Sequence, residues 1–99
     1  MERIFKIRMH VPLGYRDGTL SFTKKDDQKI EGALCLFQNE TTFRGKLADD
    51  GEITFAGQMV TLTRTFLYQA YGRIDGTKIR LHVSGDRNTF SITGEEVTL

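Results

Sequence analysis

The chain has a single cysteine, a single proline and almost no net charge. Cys35, alone, cannot close an intrachain disulfide, and its apolar neighbours suit a buried core thiol. Fourteen Lys and Arg against thirteen Asp and Glu give no global field to draw the chain to nucleic acid or to a membrane surface. No apolar run approaches the length of a membrane-spanning helix, and residues 1–6 lack the apolar stretch of a secretory signal. A reducing, cytoplasmic setting is the default expectation, although a removed signal peptide would leave no trace. Ninety-nine residues, 38% of them hydrophobic, are expected to form one domain spanning 1–99. A chain of that size buries roughly two-thirds of its unfolded surface and needs neither disulfide nor metal to do so.

What the sequence does have is period-two alternation, the mark of strands with one face in a core and one in water. Phe5, Ile7, Met9 and Val11 alternate with Lys6, Arg8 and His10. Residues 12–18, with Pro, Gly and Asp-Gly, read as a loop, and a second strand over residues 19–24 turns Leu20 and Phe22 inward. Ile30, Gly32, Leu34 and Leu36 share a register in the third strand, which ends at a turn over residues 38–40. Phe43, Gly45 and Leu47 mark the fourth, and Asp49-Asp50-Gly51 a tight hairpin into the fifth with Ile53, Phe55 and Gly57. Residues 58–74 contain no turn residue except Gly72, so they form two strands or one bent strand, with the break at Thr63-Arg64-Thr65. Asp75-Gly76 signals a type I′ hairpin, followed by strands around Ile79–Val83 and Phe90–Ile92. No segment carries a helical stripe.

Gly32, Gly45, Gly57, Gly72 and Gly94 fall inside strands, each in the register of its strand's apolar face. Glycine weakens a strand, so its repetition on the inner face requires a cause, and tight curvature supplies one. About eight short strands joined by turns leave no room for crossovers. The expected fold is an all-β, antiparallel up-and-down meander closed into a barrel or roll. Its plan is similar to lipocalin-like barrels as an architecture, without that superfamily's signature residues.

No catalytic, metal or nucleotide motif is present. His10 and His82 share no short motif with Cys, Asp or Glu, the adjacent carboxylates of Asp49-Asp50 and Glu95-Glu96 point to opposite faces of a strand, and the glycines open no helix. No cofactor or metal is expected. Strand interiors carry Lys6, Arg8, Arg44, Lys46, Arg73 and Arg80, beside His10 and His82, while acids concentrate in turns. If the first and last strands meet, a basic outer patch results, able to attract anions. It lacks interleaved aromatics, so a nucleic-acid face is not expected. Arg64 falls in register with Val60 and Leu62: it either enters the core, where it needs an anion, or lies in a loop that resets the register. Residues 33–37 and 66–71 are apolar on both faces, so either the Leu13/Tyr15 loop or another molecule must cover Cys35, Phe37, Leu67 and Tyr71.

These readings favour a non-catalytic barrel binding a small molecule, an anion or a peptide, with Tyr15, Arg64, Tyr68 and Tyr71 as candidate contacts. The alternative is a homodimeric interaction module with a filled core, joined through Cys35, Phe37, Leu67 and Tyr71.

Overall fold

Alternating burial organises the whole chain. The computed structural model describes residues 2–12, 14–61 and 63–97, and these form eight strands. They are β1 (Glu2–Val11), β2 (Gly14–Lys24), β3 (Lys29–Leu36), β4 (Asn39–Leu47), β5 (Glu52–Val60), β6 (Thr65–Asp75), β7 (Lys78–Ser84) and β8 (Thr89–Glu96). Each pairs antiparallel with its sequence neighbours, and β1 pairs with β8, closing the barrel in the order β1 to β8. In β7 the pattern is strict: Ile79, Leu81 and Val83 are buried while Lys78, Arg80, His82 and Ser84 are exposed.

Inward side chains fill the interior. Nineteen buried hydrophobic residues among those described form one core, and no polar or charged residue other than the tyrosine Tyr68 joins them. Phe43 and Phe55 stack at 4.2 Å between centroids, and Tyr68 meets Phe55 edge-on at 6.0 Å. The inner-face glycines make this packing fit. Gly45 lies between Ile30 and Phe55 in the ladder, and Gly57 between Phe43 and Tyr68. At Gly45 a Cβ would strike the carbonyl oxygen of Thr54 and approach Phe55 Cβ to 2.5 Å. At Gly57 it would come within 2.9 Å of the Thr42 carbonyl oxygen. The curvature expected from the glycines is the curvature of the closed barrel.

Several boundaries differ from the sequence reading. Residues 14–18 are not loop: Tyr15, Asp17 and Gly18 belong to β2 and pair with His10, Arg8 and Ile7. Cross-strand partners override the turn-like composition. Arg8 Nε donates to Asp17 Oδ1 at 3.0 Å, and its guanidinium sits 3.8 Å from the Tyr15 ring centroid. The β3–β4 turn is Phe37-Gln38, one residue earlier than expected. Both residues have positive φ, 55° and 63°, the I′ pattern, so Asn39 and Glu40 start β4. In the β6–β7 hairpin Asp75 pairs with Lys78, so Gly76-Thr77 is the turn. Gly76 alone has positive φ (63°), the II′ pattern rather than I′. The break in residues 58–74 falls where expected, between Val60 and Thr65.

That break decides Arg64. The buried residues of β5 are Ile53, Phe55 and Met59, so Val60 is not in the core register expected of it and Arg64 does not follow it inward. β5 ends at Val60, and beyond it Thr61 N donates to Arg64 O at 2.8 Å. The Arg64 guanidinium instead pairs with Asp86 from the β7–β8 connection and lies 5.1 Å from the centroid of Phe66. Phe66 in turn stacks on Phe90 at 6.4 Å, so the group covers one end of the barrel.

Candidate functional site

Closure places β8 between β1 and β7, two strands that run in the same direction because both are antiparallel to it. Their outer faces carry the same residues in the same order. Residues 6–10 are Lys-Ile-Arg-Met-His and residues 78–82 are Lys-Ile-Arg-Leu-His. The register lines them up across β8 in three rungs: Lys6–Glu95–Lys78, Arg8–Thr93–Arg80 and His10–Ser91–His82. All nine side chains are exposed. Rungs follow one another about every 6.7 Å along the strands, and the two basic rails stand roughly 10 Å apart at the backbone.

A groove of about 920 Å³ follows this surface, lined by Lys6, Arg8, Lys78, Arg80, Thr93 and Glu95, with the backbone of Gly18 and Gly94 in its floor. The Arg8–Thr93–Arg80 rung has the chemistry to hold an oxyanion: two guanidiniums supply forked donors and a hydroxyl lies between them. Arg8 spends one donor on Asp17, which also raises its pKa. Arg80 has no ion pair among the described residues. On neighbouring β6 it faces another arginine, Arg73, directly opposite in the ladder. Like charges so placed are destabilising. Arg73 leans away, to the carbonyl oxygen of Asp50 at 2.9 Å and to Glu52 Oε1 at 3.4 Å, which leaves Arg80 as the arginine of this wall without an ion pair among the described residues.

The four candidate contacts from the sequence do not converge. Tyr68 is buried in the core, and its hydroxyl has no hydrogen-bond partner among the described residues. Burial pushes its pKa upward. Arg64 is at the barrel end. Tyr71 is on the outside of β6, 57% exposed, stacked on His82 at 5.4 Å. Tyr15 is on the outside of β2, four strands away in the ring, beneath Arg8. The four residues of the expected dimer surface also separate. Phe37 packs against the core at its turn and half-buried Cys35 lies on β3, whereas Leu67 (75% exposed) and Tyr71 share the outer face of β6. Tyr15 does not cover that face, and Leu13 lies outside the described residues.

The basic patch is the sequence feature that the structure gathers. Its missed element is the repeated Lys-Ile-Arg-x-His, readable in the sequence but meaningful only once both copies flank one strand. Among the described residues no three His, Cys, Asp or Glu side chains come together. No helix is long and apolar enough to cross a membrane.

Fold and surface define the molecule as an eight-stranded antiparallel barrel with a packed interior and a basic trough on its outer wall. Comparison with protein-family models, with curated proteins and with solved structures finds no match to the chain.

Proposed function

We propose that this barrel is a non-catalytic binding module and that its ligand is anionic, held on the outer wall and not inside. The observation that carries this reading is the duplicated Lys-x-Arg-x-His rail on either side of β8, with Arg80 at its centre and without an ion pair among the described residues. The packed interior supports an outer site, since hydrophobic side chains already occupy the space that an internal ligand would need.

The test is thermal melting with inorganic tripolyphosphate at low salt. A ligand bound only by the folded state raises Tm by mass action. Wild type and Arg44→Gln, whose guanidinium is on β4 away from the trough, are expected to respond; Arg80→Gln is expected to lose most of the shift. No shift in wild type, or an equal shift in Arg80→Gln, refutes the reading. Light scattering on the same samples addresses the alternative, a homodimer. Exposed Leu67 and Tyr71 favour it, and dissociation in Leu67→Ser would support it.

A further inference from the structure

We infer that the wall formed by β6, β7 and β8 binds single-stranded nucleic acid, with a base stacked on Tyr71 and the phosphates on Arg80 and the trough. This rests on the anion reading above and names its ligand. Two grooves meet at Arg80. One is the basic trough; the other, about 370 Å³, is lined by Tyr71, His82, Arg73 and Arg80 on the β6–β7 face. The ladder sets Tyr71 opposite His82 and Arg73 opposite Arg80, so an aromatic pair and a cationic pair are adjacent rungs. The Tyr71 and His82 rings are 28° from parallel, and Tyr71, backed by His82, remains more than half exposed. A backed, exposed aromatic beside a basic strip is how proteins hold unpaired bases, because every base offers a π-face to stack. Aromatics are not interleaved with the basic residues along any one strand, but the ladder supplies one from the neighbouring strand.

The shape favours a polymer over a free nucleotide. Pockets for small ligands enclose most of the ligand surface. These grooves are open along the wall, and the trough repeats its cations at a stride of about 6.7 Å, close to the step between phosphates in an extended single strand. A duplex is disfavoured because its bases are already stacked on both faces. Two flanking carboxylates are paired, Asp17 with Arg8 and Glu52 with Arg73, while Glu95 stands between Lys6 and Lys78 in the ladder and Asp75 stands opposite Lys78.

The experiment is fluorescence anisotropy with a labelled oligothymidylate of about 12 nucleotides, an abasic strand of equal length, thymidine triphosphate and tripolyphosphate as competitors. Wild type is expected to prefer the oligothymidylate. Tyr71→Leu should weaken it by about tenfold and leave the abasic strand unaffected, whereas Tyr71→Phe should bind as wild type. Arg80→Gln should flatten the log–log salt slope by about 0.7. Equal binding of the abasic strand, a neutral Tyr71→Leu, or triphosphate competing as well as the oligonucleotide overturns the inference while leaving the anion site standing. If neither tripolyphosphate nor any strand binds, both readings fall.

Discussion

Tyr68 carries the one buried side-chain polar atom without a partner among the described residues. A hydroxyl taken out of water without a hydrogen bond costs about 1–3 kcal/mol, and its ring makes the apolar contacts that phenylalanine would make equally well. Tyr68→Phe is therefore expected to leave stability unchanged or raise it by about 1 kcal/mol, measured by denaturant melts. A clear loss would mean that the hydroxyl has a partner after all. Arg64 shows the limit of reading single residues from a strand pattern. Counted on from β5, whose buried residues are Ile53, Phe55 and Met59, it falls outward; counted back from β6, with Tyr68, Ala70 and Ile74 buried, it falls inward, so alternation alone does not place it. Its partner Asp86 comes from a connection 22 positions away, invisible to periodicity.

At the scale of the strand, the alternation of large and polar residues was legible because one face of every strand is buried, and that alone yields the core residues of β1 and β7; in β5 it yields Ile53 and Phe55 but misplaces Val60, where Met59 is the buried residue. Turn geometry was less legible. Phe37 and Gln38 adopt positive φ without glycine, and Asp17-Gly18 looks like a turn yet runs through β2. In both places ladder pairing outweighs local preference. The glycines offer the sharpest test. At Gly45 the obstacle is backbone, the Thr54 carbonyl and Phe55 Cα, which cannot rotate away. Gly45→Val should cost about 3 kcal/mol or more, at or beyond the upper range for overpacked cores. Gly57→Val is expected to cost less, since its contacts begin at 2.9 Å. Valine at exposed Thr42 or Thr54 should change stability by no more than about 0.5 kcal/mol. Equal shifts at all four positions in urea melts would remove curvature as the reason for the glycines.

For the molecule as a whole, closure depends on β1 meeting β8, and a forked ion pair marks that junction. Arg3 donates through Nε and Nη2 to the two carboxylate oxygens of Glu96 at 2.9 and 2.7 Å. Arg3 also reaches the carbonyl oxygen of Gly76 at 3.1 Å. The hydrogen bonds from Arg3 lower the pKa of Glu96. A carboxylate with a depressed folded pKa stabilises above its unfolded pKa and loses that contribution as pH falls through the folded value. Wild type should thus exceed Glu96→Gln by about 1 kcal/mol at neutral pH, with the difference vanishing as the medium is acidified below the carboxylate range. A gap that persists in acid would show that Glu96 acts through packing and not through charge. The sequence held both residues but gave no sign that they meet, because their pairing exists only in the closed ring.

Seven of the eight strand pairings join neighbours in sequence, and only β1–β8 joins the two ends of the meander. A chain that has built the seven hairpins but not yet met itself exposes two raw sheet edges, the usual template for adding a strand from another molecule. Those edges are not bare. One carries Lys6, Arg8 and His10, the other Glu95 and Thr93. A second chain approaching like edge to like edge meets its own charge, whereas the two edges of one chain attract. The residues of the trough thus also exclude like-edge pairing between chains and leave the β1–β8 seam as the favoured junction, which within one chain forms at the high local concentration of its own two ends.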